Sequence, residues 1–424
     1  MRRLLPLLLL LPLPTFAQPS RTLTLQEATE AALQHHPRLA SASLTAQAEA
    51  TRVTQAKAAF GPNLSLNATG AGAEQGTALA AGTLQTSALA SRAAVGAALT
   101  QLITDFGRTM KLAESAKFRA EAQARTADIR RAEILLQVHQ AYYAALGAQA
   151  VHQVAQATLE TRRLLLRQVR GLTESNLKST LDLTFAELAV AEAELALYQA
   201  DNAVRETHAQ LSAAMGNEDD DAYTLTDVPL SPPINPDAAA LVQSALSQRP
   251  ELSVAKLNIT SAQVFADAER RLRYPTITGI AVVGAIPAHQ APLHNRYASA
   301  GVNVTLPFLN GGLFHARRAE ADLRASAAAK DAEDLSVQIA SGVRVAWYQA
   351  NTAYRRIDVT ARMVTQADTA YRLARSRYEI GLGTIVELNQ AQLAQTSAQI
   401  ADASARYEFL IRTANLNFAT GNIQ

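Results

Sequence analysis

The chain has 424 residues, with 39 Lys and Arg against 37 Asp and Glu, 5% aromatics and no cysteine. Absent cysteine excludes disulfides, a thiolate nucleophile and a cysteine-linked lipid anchor. The formal charge of +2 becomes zero if Arg2 and Arg3 leave with a leader; with no basic cluster carrying interleaved aromatics, there is no case for nucleic-acid binding.

The first residues, MRRLLPLLLLLPLPTFA, set two arginines before a leucine-rich run from Leu4 to Leu13 and a small-residue end at Ala17. This reads as a secretory signal peptide over residues 1–17. The run is too short and too proline-broken for a spanning helix, so the remainder is expected to be exported. Thr24 to His36 predicts a short helix ended by Pro37, which suits the first turn of the next one. Arg38 to Phe60 is alanine-rich and favours helix. After Gly61-Pro62 the period switches: Leu64, Leu66 and Ala68 alternate with Asn63, Ser65, Asn67 and Thr69, as in a strand with one apolar and one polar face. A loop is expected from Gly70 to Ser91, then a second strand from Arg92 to Ile103 with Val95, Ala97 and Leu99 on one face.

From Gly107 to about Arg170 there is no proline, and Gly147 is the one interior glycine. A helix of ~60 residues would span about 90 Å, wider than an ordinary globular domain. Beyond it Leu181, Leu188 and Leu195 recur every seven residues, as do Leu183, Val190 and Leu197. That spacing predicts coiled-coil packing, with alanines between allowing close approach. Asn217 to Pro236, with Glu218-Asp219-Asp220-Asp221 and four prolines, reads as a solvated connector rather than a metal site. A short helix to Arg249, a second from Pro250 to Arg273, and a strand from Thr276 to about Ile286 follow. The clearest strand comes next, where Ala298, Ala300, Val302, Val304 and Leu306 alternate with Ser299, Gly301, Asn303 and Thr305. A second long helix is expected to run to Ile380.

There the stretch Arg377 to Leu393, RYEIGLGTIVELNQAQL, predicts the tight turn of a long helical hairpin. Gly381 supplies a left-handed stop, and Thr384 with Glu387 forms a capping-box pattern. Leu181-Asp182-Leu183 matches Val386-Glu387-Leu388 at a shift of 205 residues, and Gly216 matches Gly421 at the same shift. A repeat this long means two copies of a whole unit. The expected organisation is a leader over 1–17, a first repeat over 18–216, a connector over 217–236 and a second repeat over 237–424.

Four strands of about ten residues each have the length that crosses a bilayer when tilted. Strands can span lipid only in a closed barrel, and four are too few for one chain. The barrel would be shared: two copies give eight strands, filled by side chains, and three give twelve, with a lumen. Phe60, Tyr274, Tyr297 and Phe308 sit at strand ends, where an interfacial belt would put them.

Over essentially the whole exported chain, these features resemble the TolC-like outer-membrane efflux protein family. The resemblance rests on His36-Pro37-Arg38-Leu39 and Arg249-Pro250-Glu251-Leu252 opening the two copies. It rests also on Val304-Thr305-Leu306-Pro307-Phe308-Leu309-Asn310-Gly311-Gly312 and on Tyr378 to Gln392. It implies an α+β, mainly α fold: a homotrimeric outer-membrane β-barrel with four strands per chain, continuous with a coiled-coil α-helical barrel in the periplasm. Both repeats together would form that one barrel-plus-tunnel domain. It further implies an exit duct for tripartite efflux or type I secretion, embedded in outer-membrane lipid and joined to an inner-membrane pump through a periplasmic adaptor. The adaptor-docking tips fall on Gly381, Leu382, Gly383 and Thr384, and by the internal shift on Asn176, Leu177, Lys178 and Ser179. The family's pore constriction falls on Glu387 and Gln390, with a linking tyrosine at Tyr378 and Asp182 as the first-copy equivalent of Glu387. Gln390 stands where the family has a second acid, and Gly383 where some members have a basic residue. No cofactor and no metal are implied. Two other classes stay open: an exported coiled-coil scaffold without channel activity, and an exported hydrolase, for which no Gly-x-Ser-x-Gly or His-Glu-x-x-His is present.

Overall fold

The computed structural model describes residues 21–72, 78–81, 85–88, 92–217, 223–230, 237–289 and 294–423. The expected leader and the acidic run Glu218 to Asp221 lie outside the described residues. The elements are β1 Arg21–Leu23, α1 Leu25–His35, α2 Pro37–Ala58, β2 Asn63–Ala71, β3 Ala78–Ala81, β4 Gln85–Ala88, β5 Arg92–Thr104, α3 Arg108–Glu174 and α4 Thr180–Met215. Then come β6 Tyr223–Leu225, α5 Ala238–Gln248, α6 Pro250–Arg270, a 3-10 turn Arg271–Arg273, β7 Thr276–His289, β8 Arg296–Thr305, α7 Leu313–Glu379 and α8 Ile385–Thr420. The long helices match in pairs, 67 residues for α3 and α7 and 36 for α4 and α8. Sixty-seven residues rise about 100 Å. Both 36-residue helices stop at a left-handed glycine, Gly216 at φ 81° and Gly421 at φ 80°.

The chain forms two compact units. One comprises the described residues within Met1–Pro37, Arg131–Leu241 and Gly342–Gln424; the other comprises those within Arg38–Arg130 and Val242–Ser341.

In the first unit α4 buries Ala186, Ala189, Ala193 and Ala200, small side chains that let helix backbones approach. Of the two heptad stripes expected to pack, Leu183, Val190 and Leu197 are half-buried, with Leu183 against a core of Val169, Ala186 and Tyr378, whereas Leu181, Leu188 and Leu195 are all exposed. Alanine and leucine stripes share the seven-residue spacing, and only one can face the chain's own helices. A second departure is the parallel pair of β1 with β6, Arg21 to Leu23 against Tyr223 to Leu225. It places a strand inside the expected connector; three residues are too few to show a period. Tyr142, fully buried, holds this pair: its hydroxyl proton is shared between the carbonyls of Leu23 at 2.9 Å and Thr226 at 2.7 Å. Burial pushes the Tyr142 hydroxyl up to about 12. The folded state therefore binds this proton more tightly than the unfolded chain, and its stabilisation, complete below pH ~10, is lost as pH rises toward 12. Tyr142→Phe leaves the Thr226 carbonyl without this donor, while the Leu23 carbonyl still accepts from Thr226 N–H at 3.0 Å, and should cost about 1–3 kcal/mol, measured by denaturant unfolding followed by circular dichroism.

In the second unit β2, β5, β7 and β8 form one antiparallel sheet in that order, with strands of 9, 13, 14 and 10 residues. The expected loop between β2 and β5 contains a further antiparallel pair, β3 with β4; small, weakly alternating residues there carry no strand signal. Register puts Leu64 beside Leu99, Leu66 beside Ala97, Ala97 beside Val283, and Ile277 beside Val304. One face is therefore apolar, and it is open: Leu66 is 82% exposed, and Leu64, Val95, Val283, Val302 and Val304 are exposed with it. The other face carries Asn63, Ser65, Asn67, Thr100, Thr278, Ser299, Asn303 and Thr305, with Leu102, Ile280 and Val282 as large apolar exceptions. Gly96 and Gly284 lie in register with Tyr297, whose ring fills the space a Cβ on either would need.

Candidate functional site

The first unit contains both hairpin turns, and they are built alike. In the first, Leu177 N–H donates to the Leu172 carbonyl at 2.8 Å and Asn176 N–H to Thr173 at 3.0 Å. In the second, Leu382 N–H donates to Arg377 at 2.8 Å and Gly381 N–H to Tyr378 at 3.2 Å. This pair of bonds is a Schellman helix end, which needs a left-handed residue at its centre. Gly381 provides it at φ 79°, and Asn176 provides it at φ 54°, asparagine tolerating that region better than other side chains. Gly383 has ordinary φ but faces the Arg377 side chain and the Tyr378 backbone so closely that a Cβ would crowd them. Leu177 and Leu382 stand at the turn tips, each 70% exposed.

Beneath the turns a core joins both hairpins: Val169 and Ala186 pack with Tyr371, Tyr378, Ile385 and Leu388. Tyr378 is 3% exposed. Burial, and then the Asp182 carboxylate, push its hydroxyl up to about 12, and that hydroxyl has no hydrogen-bond partner among the described residues. Lys178 crosses from the first turn to this tyrosine. Its Nζ lies 4.0 Å from the ring centroid and 3.4 Å from the Tyr378 carbonyl, a cation–π contact that links the hairpins. The position occupied by Gly383 is thus not the tip's source of positive charge. Arg375 and Arg167 join Lys178, Leu165 and Leu172 around a cavity of about 500 Å³.

The two acids differ in what they do. Ser179 Oγ accepts from Asp182 N–H at 3.1 Å, while the Ser179 N–H and Oγ donate to Asp182 Oδ2 at 3.2 and 3.0 Å. That capping box is complete. Thr384 Oγ1 accepts from Glu387 N–H at 3.1 Å, but the Glu387 carboxylate returns no bond and has no partner among the described residues. The expected second box is therefore half formed. An exposed carboxylate gains little net energy by exchanging water for one backbone N–H. Glu387 and Gln390 are both exposed, one turn apart on α8, whereas Asp182 is half-buried.

Gln390 borders a smaller cavity of about 210 Å³ with Arg162, Glu192 and Asn389. Arg162 escaped the sequence reading. It is 6% exposed, donates to the Ala189 carbonyl at 3.2 Å and lies 3.5 Å from Glu192; burial pulls its guanidinium below the ordinary range. The available signal was a break in the duplication, because the residue at the same shift in the second copy is Ala367.

The family model described as outer membrane efflux protein matches residues 28–217 and again 241–422. Protein CyaE of Bordetella pertussis is 26% identical over 396 residues, covering 92% of this chain and 82% of that protein. Outer membrane protein TolC of Escherichia coli is 24% identical over 454 residues, covering 100% and 87%. The crystal structure of the outer membrane protein VceC from Vibrio cholerae superposes with a TM-score of 0.78 at 20% identity, covering 94% of this chain and 96% of that one. The last likeness is one of fold.

Proposed function

The chain belongs to the outer membrane efflux protein family, and from this we propose that it works as three copies joined edge to edge. As a member of that family it is an outer-membrane exit duct of an efflux or secretion system. The family is one of channels, and the reading as an exported scaffold without a channel falls with that membership. The observation carrying the trimer is the sheet. Its outer strands β2 and β8 each leave an edge without a partner among the described residues, and one face is apolar and exposed. Lipid cannot satisfy such edges. Three copies of the four-stranded sheet give twelve strands, enough for a lumen lined by the polar face. The exposed leucines Leu181, Leu188 and Leu195 supply the matching stripe for a neighbouring chain.

In this reading the apolar face meets lipid, and the two hairpin tips receive a periplasmic adaptor that connects the duct to an inner-membrane pump. Glu387 from three copies lines the resting constriction with Gln390 behind it. Asp182 and Tyr378 hold the turns in place, and no residue is assigned a catalytic role. Crosslinking of detergent-extracted protein should reach a limit at three chains. A stable monomer, or recovery from the soluble periplasm, would refute the assembly.

A further inference from the structure

The link from α6 to β7 reads Arg270-Arg271-Leu272-Arg273-Tyr274-Pro275. Most arginines near it are neutralised within the second unit. Arg270 pairs with Asp267 at 2.9 Å and Asp322 at 2.8 Å, and Arg318 reaches Asp322 at 3.6 Å. Arg108 and Arg317 share the buried Glu269 at 3.4 and 2.7 Å. Arg271 and Arg273 are different: no carboxylate pairs with either among the described residues. Arg271 Nη1 donates to the Phe106 carbonyl at 2.6 Å, its guanidinium lying against Gly107, which is left-handed at φ +85°. Arg273 donates to the Tyr274 hydroxyl at 3.4 Å and lies 5.3 Å from that ring's centroid. The Tyr274 and Phe106 rings are 5.7 Å apart, and both are exposed. Two uncompensated cations are thus set among open aromatic rings.

Their level on the sheet is defined. Ile277 paired with Val304 is the last apolar pair at this end, and Arg273 follows four residues beyond. Four residues reach at most about 13 Å, less along the normal of a tilted sheet. That is where headgroups begin outside a hydrocarbon core of about 30 Å. Phe308, 94% exposed, lies three residues past the end of β8 at the same end of the sheet.

We infer that Arg271 and Arg273, flanked by Phe106 and Tyr274, bind the phosphodiester of an anionic glycerophospholipid in the leaflet facing the periplasm. A guanidinium fork matches phosphate oxygens, the rings suit the interface, and the apolar face receives the acyl chains. A free anion would use the first of these alone. The inference rests on reading the sheet as membrane-spanning.

Purified full-length protein in detergent, given equal dioleoylphosphatidylglycerol and dioleoylphosphatidylcholine, should retain the former in excess when bound lipid is counted by native mass spectrometry. Arg271→Gln with Arg273→Gln should reduce that excess by about fivefold per arginine. Arg324→Gln, which removes an exposed arginine paired with Glu320, should leave it unchanged. An unaltered excess in the double variant overturns the site, and so does complete displacement of the lipid by inorganic phosphate. Should the double variant not fold, Arg273→Gln alone gives the same reading, with about a fivefold loss expected. Fractionation of the wild type separates the two failures. Absence from the outer membrane defeats the membrane reading, whereas presence there without a phosphatidylglycerol excess defeats this site alone.

Discussion

Leu177→Asp combined with Leu382→Asp should abolish export while leaving the yield of trimer at the wild-type level. Both leucines stand 70% exposed at the ends of turns whose bonds are made by backbone atoms. Substitution at such exposed positions changes folding stability by about 0.5 kcal/mol or less. An adaptor seated on the tips would bury them, and each buried leucine contributes about 1.5–3 kcal/mol. Losing two per chain removes about 3–6 kcal/mol, on the order of 100-fold to 10,000-fold in affinity, before counting the cost of burying the new carboxylates. The measurement is export in cells carrying the double variant, with crosslinked trimer quantified from the same membranes. A contrasting variant, Leu188→Asp, places charge on the exposed stripe of α4 and should lower trimer yield instead. Normal export by the tip variant would move adaptor docking elsewhere.

The second large effect concerns conductance. In planar bilayers the resting channel should be cation-selective and blocked by a trivalent cation added from the periplasmic side. Glu387 is exposed on the first turn of α8 with its carboxylate unpartnered among the described residues. Three copies around an axis would therefore present a ring of free charge. Unit charges a few ångströms apart attract by about 1 kcal/mol per pair even under water-like screening. Counting each of the three carboxylates as at least one such pair, Glu387→Gln should weaken block by at least about 100-fold. Folding should hardly change, because Thr384 Oγ1 still accepts from the backbone N–H of residue 387. Asp182→Asn should act in the opposite sense, loosening the start of α4 by up to about 1 kcal/mol as its capping box weakens while leaving the block intact. Block that survives Glu387→Gln would mean that other residues build the constriction.

The contrast between these two acids shows what could be read early. Both occupy the third position of a Ser/Thr-initiated helix, and the duplication makes them equivalent. Nothing local to the sequence says that Asp182 closes its box and Glu387 does not. Missing Arg162 has a similar cause: an arginine in an alanine-rich helix looks solvated until Ala189 and Glu192 from the facing helix are seen around it.

By itself the sequence determined the duplication, the order of the helices and of the four long strands, the proline-free long helices, the left-handed stop at Gly381 and the two faces of the sheet. Each of these is a property of neighbouring residues, and backbone sterics and side-chain period act over one or two turns. The tertiary structure alone decided which seven-residue stripe is buried, that three-residue strands at 21–23 and 223–225 pair under Tyr142, and that Lys178 rather than Gly383 supplies the cation at the tip. It also decided which of the arginines beside β7 are left without a carboxylate. Those outcomes depend on partners from about 30 to 200 positions away, and no local pattern encodes which distant group comes within reach of a side chain.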